Sequence, residues 1–136
     1  MSGRMVEILP PTTLSAGGSA LTYVTDVRFA LPTERAKSGR VIVNMFGYAP
    51  VGGPGAIGVA VLTATDWQLD PNQGTPGSTP AFWIAAHAGI TYGTMVPQFG
   101  TKTDALTTLG EWLRLRVTVP VNRTCRLSVL AMLYDA

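Results

Sequence analysis

Residues 111–134, EWLRLRVTVPVNRTCRLSVLAMLY, hold two runs of strict two-residue alternation separated by one short break. In the first run Leu113, Leu115, Val117 and Val119 fall on one side, and Trp112, Arg114, Arg116 and Thr118 on the other. In the second, Cys125, Leu127, Val129, Ala131 and Leu133 oppose Arg126, Ser128, Leu130, Met132 and Tyr134. A period of two with one apolar side is the pattern of a half-buried strand. The break at Pro120–Arg123 reads as the turn of a hairpin, and the apolar sides merge only if the strands pair antiparallel with Val119 opposite Cys125, because a one-residue slip would turn Leu127 outward.

The rest of the chain reads as strands that pack against this unit. Leu21–Phe29 alternates cleanly, and Arg40–Tyr48 and Ala56–Thr65 are apolar or small on both sides, which suits a sandwich centre or a protein interface. Phe82–Ala86 and Ile90–Val96 read as short strands around a turn at His87, Ala88 and Gly89. Met5–Leu9 ends at Pro10 and Pro11, which fits an edge strand or an arm laid on a neighbour, since proline cannot donate to a ladder. Pro32–Gly39 reads as a polar loop or one helical turn, and Trp67–Pro80 and Gly100–Gly110 read as loops. Eight candidate strands without an amphipathic helix predict an all-β, two-sheet β-sandwich with an eight-stranded jelly roll as the favoured topology.

Composition narrows the function. Over 136 residues, 46% are hydrophobic and only 13% are charged, against about 25% in an ordinary soluble domain. The length fits one domain, residues 1–136, with 1–11 as a candidate N-terminal arm. Glycines and prolines interrupt every uncharged stretch, so no run of about 20 apolar residues survives to cross a membrane as a helix. The first residues are also too short for a secretory h-region. A surface short of polar groups then points to cover by another protein in an assembly. The formal charge of +2 is too small to argue for nucleic acid.

No constellation of reactive residues stands out. Gly53, Gly55 and Gly58 match a dinucleotide-binding glycine pattern literally, but Pro54 interrupts it and a strand follows where a helix is required. A single histidine, His87, removes multi-imidazole metal sites and reads as an exposed turn residue. The one cysteine, Cys125, lies on the apolar side and reads as a buried small residue. Asp66 and Asp70 around Trp67 are compatible with sugar chemistry, and Trp67, Trp83, Trp112 and Tyr92 with an aromatic platform, although core or interface anchors are the commoner use of such residues. No catalytic residue, cofactor or metal site is expected. Arg114, Arg116 and Arg126 share the polar side of the two runs, where a solvated face or a docking patch for acidic groups would place them.

Small size, low charge, long Gly/Pro loops, an N-terminal arm and eight strands together make a chain that resembles the jelly-roll cement, or decoration, proteins of tailed-bacteriophage capsids. The resemblance implies a non-enzymatic virion protein on the outer capsid surface, made in the host cytoplasm, that bridges subunits of the major capsid protein as a dimer or trimer. The residues expected to meet a partner are Met5, Val6, Ile8 and Leu9 of the arm, Trp67, and Arg114, Arg116 and Arg126. The alternative is a carbohydrate-binding or receptor-binding β-sandwich module.

Overall fold

The computed structural model describes residues 3–25, 31–49, 55–64, 83–93 and 99–135. Its strands are β1 (Gly3–Ser15), β2 (Leu21–Val24), β3 (Leu31–Pro32), β4 (Ser38–Ala49), β5 (Ala56–Ala64), β6 (Ile84–Ala85), β7 (Ile90–Gly93), β8 (Gly100–Leu106), β9 (Trp112–Val119) and β10 (Thr124–Tyr134). One sheet has the order β1-β10-β4-β8, and the other β2-β9-β5-β6, with β3 also on β9 and β7 also on β5. All pairings are antiparallel. Because β2 and β3 lie along one edge of β9, and β6 and β7 along one edge of β5, they count as two strand positions. Among the described residues the result is eight positions in two four-stranded sheets, wound as a jelly-roll β-sandwich.

The two alternating runs are strands, but they do not pair with each other. β9 lies between β2 and β5 in one sheet and β10 between β1 and β4 in the other, so the expected Val119–Cys125 pairing is replaced by Leu21–Val119 and Leu14–Cys125. Both arrangements bring the same apolar sides together; here they meet across the roughly 10 Å gap between sheets. The break is a turn at Pro120–Arg123, with Asn122 at φ 59°. Its backbone bonds outward to the neighbouring loop, through Asn122 N–H to Gly17 O and Ala16 N–H to Arg123 O.

The core forms where the inner faces meet. Leu113, Leu115, Val117 and Val119 of β9 face Cys125, Leu127, Val129, Ala131 and Leu133 of β10, all at most 1% exposed, flanked by Val41, Val43, Ile57, Val59 and Val61. Each Val, Leu and Ile side chain of this set contributes about 1.5–3 kcal/mol by leaving water.

Three further expectations change. Residues 3–15 are not a free arm: β1 pairs with β10 from Gly3–Tyr134 to Ser15–Thr124, with irregularities between Glu7 and Leu9 and between Leu9 and Thr12. These bulges accommodate Pro10 and Pro11 on an edge strand, and the two one-residue slips together return Leu14 to the inner side, where Leu9 already lies. Gly100–Leu106, expected as loop, is the edge strand β8, whose polar character comes from having one side unpaired. Residues 84–93 form one interrupted strand against β5, not a hairpin. The connection before β4 is a tight turn with no helix, in which Glu34 and Arg35 both take left-handed backbone, at φ 53° and 63°. Ala36 N–H donates to Thr33 O across it. The Trp67–Pro80 stretch lies outside the described residues.

Candidate functional site

His87 is buried, at 5% exposure, and its ring does structural work that its place in a turn-like sequence concealed. Along β5 the register steps from Leu62–Ala85 to Val59–Ile90, so four residues, 86–89, oppose two. Such a bulge would leave a β5 backbone donor without a ladder partner. His87 Nε2 accepts that donor, the Val61 N–H, at 2.9 Å. The proton is therefore assigned to Nδ1, which donates to Asp104 Oδ2 at 2.9 Å on β8 of the other sheet. The His87 hydrogen bond is the chief reason that the Asp104 carboxyl is held below the ordinary carboxylate range, helped by the Ala105 and Gly89 N–H groups. With both ring nitrogens committed, the pair ties the two sheets at their open edge and presents no base to solvent.

Arg114 is the largest change in a single residue. It was expected on an outer face and is 1% exposed. It does lie on the outer side of its sheet, but that side carries a small apolar cluster of Leu62, Ala64 and Trp83, with Trp112 packed against it. The Arg114 guanidinium stacks over the Trp83 ring at 5.4 Å and its Nε donates to Thr25 O at 2.6 Å. Arg116, half-buried, shares this outer side with its register partners Val24 and Ala60. Arg126 is exposed on the other sheet. The three arginines therefore make no common patch.

The aromatic platform is not assembled either. Trp83 is buried beneath Arg114, and Tyr92 is fully buried with its hydroxyl donating to Gly100 O at 2.9 Å. Trp67 lies outside the described residues. Trp112 alone, half-buried, lines a shallow cleft of about 210 Å³ with Pro32, Glu34, Arg35 and Glu111.

Of the remaining expected contact residues, Leu9 is buried and Val6 and Ile8 pack against the core, whereas Met5 is 49% exposed. Met5 opens a row that the strand pairing builds across the outer face of the β1-β10-β4-β8 sheet: Met5, Met132, Arg40 and Ala105. The next row is Glu7, Leu130, Ile42 and Thr103. Met132, Leu130 and Ile42 are half-buried, and none belongs to the core. Beyond them Asn44 bridges Ser128 and Thr101 through its side-chain amide, at 3.2 and 2.6 Å.

Sequence reading did not single out the bulge at the far end of this face. Between Arg126–Gly47 and Leu127–Met45 the β4 strand gains one residue, Phe46, whose ring is 55% exposed. Met45 and Tyr48 on either side stay buried. The signal available in the sequence was the loss of alternation at Phe46 and Gly47, where two inward-pointing residues, Met45 and Tyr48, are separated by three positions and not two.

No protein-family model matches the chain, and neither does any curated protein. Among solved structures the chain is similar to a Bacillus endospore appendage pilus protein at 9% identity and TM-score 0.42, over 100% of this chain and 93% of that one. It is also similar to a carbohydrate-binding module of the β-sandwich superfamily at 13% identity and TM-score 0.49, over 94% of this chain and 53% of that one. A third similarity is to an infectious bursal disease virus Gx strain structure at 9% identity and TM-score 0.46, over 99% of this chain and 33% of that one. Likeness this distant does not extend to a function.

Proposed function

We propose that this chain is a non-enzymatic structural protein of a virion, which docks on the outside of a phage capsid and stabilises it by bridging shell subunits. The observation that carries the reading is the outer face of the β1-β10-β4-β8 sheet. Met5, Met132, Leu130 and Ile42 form a contiguous apolar band on the solvent side of a sheet whose other side already holds the core. In a monomer that side is normally polar. An apolar band that the fold does not cover is the feature expected of a protein interface. The 13% charge content supports the same reading.

The test is co-sedimentation with empty capsids of a tailed phage, using the wild type and Leu130→Glu, which lies outside the core. Wild-type protein should pellet with capsids and the variant should stay in the supernatant while keeping its thermal midpoint. Equal pelleting of the two would reject this face as the docking surface. Light scattering at tens of micromolar should show an oligomer; a clean 14.4 kDa species would remove the self-association part of the proposal. The carbohydrate-binding reading keeps one observation in its favour, the Trp112 cleft with Glu34 and Glu111 on its walls. Glycan binding that is lost in Trp112→Ala and retained in Leu130→Glu would favour it.

A further inference from the structure

The Phe46 bulge borders a groove of about 340 Å³, within the size range of small-ligand sites. Gly47 contributes no side chain to it, and a Cβ built there would meet nothing within 4 Å. Phe46 stands along the groove, and Arg126 of β10, Thr13 of β1 and Thr124 also line it. Among the described residues, no acidic side chain lines it. Alternation alone puts Phe46 on the outer face with Ile42 and Asn44; the bulge sets Gly47 beside it, opposite Arg126, and returns Tyr48 to the inner side. Arg126 takes part in none of the ion pairs among the described residues, and its one hydrogen bond there is a long one, Nη1 to Thr13 Oγ1 at 3.5 Å.

We infer that this groove receives a partner segment in which a carboxylate stands beside an apolar side chain, with the carboxylate on Arg126 and the apolar group against Phe46. The inference rests on the docking reading above and specifies its chemistry. A guanidinium offers paired donors in a planar fork that matches a carboxylate. Among the described residues no carboxylate balances the charge on the groove, so the complementary occupant is anionic. The exposed ring and the missing Gly47 side chain leave an apolar recess next to that charge, which a solvated counter-ion does not fill but a leucine-sized group does.

The probe is N-acetyl-Leu-Glu N-methylamide, titrated into the full chain and followed by amide NMR shifts, beside its Leu-Gln counterpart and cellobiose. The Glu peptide should shift the Phe46, Gly47 and Arg126 amides and bind about tenfold more tightly than the Gln peptide, the worth of one charge-assisted contact. Arg126→Gln should abolish that preference, Phe46→Ser should weaken both peptides, and added salt should narrow the difference. Equal binding of the two peptides, shifts located elsewhere, or shifts of these amides by cellobiose alone would each overturn the assignment. Co-sedimentation separates the two levels. If Arg126→Gln pellets with capsids as well as wild type, the groove is not the contact and the docking face stands. If the Glu peptide binds in the groove and neither the wild type nor any variant pellets, the groove stands and the capsid reading falls.

Discussion

Replacing His87 with Phe keeps a ring of similar size in place and removes both polar atoms, so it isolates the hydrogen bonds from any cavity term. In the native structure Nε2 satisfies the Val61 N–H at 2.9 Å, and the imidazole is fully enclosed. Stranding that backbone donor costs about 1–3 kcal/mol. The Nδ1–Asp104 link adds less, about 0.5–1 kcal/mol, because the Asp104 side chain is 33% exposed and solvent screens it. The sum, about 1.5–4 kcal/mol, is a large part of the roughly 5–15 kcal/mol that holds a domain together. At roughly 3–5 °C per kcal/mol it corresponds to a fall in Tm of about 5–20 °C by calorimetry or circular dichroism. Asp104→Asn retains an acceptor for Nδ1–H and should lose much less. Because the folded Asp104 carboxyl sits below its ordinary range, the unfolded chain binds the extra proton, and this contribution is complete above that range and disappears as pH falls through the depressed value. The acid limb of the stability curve should be shallower in Asp104→Asn. A His87→Phe protein within about 0.5 kcal/mol of wild type in urea denaturation would refute the assignment of His87 as the acceptor that holds this bulge.

Changing Glu34 and Arg35 together to Asn and Gly should raise the urea midpoint by about 1 kcal/mol of stability, since both positions hold left-handed backbone that Asn-Gly adopts readily and the ion pair lost, Glu34 with Arg4 at 3.7 Å, is exposed. Cys125, 1% exposed and with its thiol pushed up to about 11 by burial, should not react with a thiol reagent at pH 8 until the protein unfolds; fast native-state labelling would contradict its place in the core. Removing residues 1–15 should abolish folding, because it uncovers the edge of β10 and takes Leu9 and Leu14 from the core; a folded truncated domain by circular dichroism would show β1 to be dispensable. Leu127→Asp and Arg114→Ala should both reduce soluble protein, the first by burying an unpaired carboxylate and the second by about 2 kcal/mol or more from lost stacking and a lost bond to Thr25 O; an unaffected Arg114→Ala would place that side chain back in solvent.

Eight strands were expected from the sequence and eight strand positions are present, yet the two sets differ. β8 has the sequence of a loop, and the two halves of one interrupted strand, β6 and β7, have the sequence of two strands. Both differences have the same origin. An edge strand needs only one paired side and one buried residue in a turn of chain, so β8 buries Leu106 and leaves Gly100, Thr101, Thr103 and Ala105 exposed, which is the composition of a loop. A bulge breaks the two-residue period, so β6 and β7 look like two strands around a turn, when the break is in fact filled by an imidazole that replaces the missing backbone acceptor. The two-sheet sandwich survived because it depends on how many residues face inward, and those were legible throughout β9 and β10.

Arg114 and Arg126 define what alternation can and cannot assign. Both stand on the polar side of a strand with apolar residues on its other side, and nothing within either strand distinguishes them. What separates them is the neighbour that each strand acquires from far along the chain. β5 places Leu62 opposite Arg114, and Trp83 covers the guanidinium, so that arginine becomes part of the packing. β1 and β4 place Thr13 and Gly47 opposite Arg126, so that arginine keeps its charge at the surface next to an exposed ring. The side of the sheet is a local property of the sequence, but the neighbours are set by pairings far along the chain, across 113 residues for Arg126 and Thr13. A docking face is defined by neighbours. Leu130, Met132 and Ile42 were each readable as outward apolar residues, but they form one band with Met5 only because β10 lies between β1 and β4, and not beside β9 as a hairpin would have placed it.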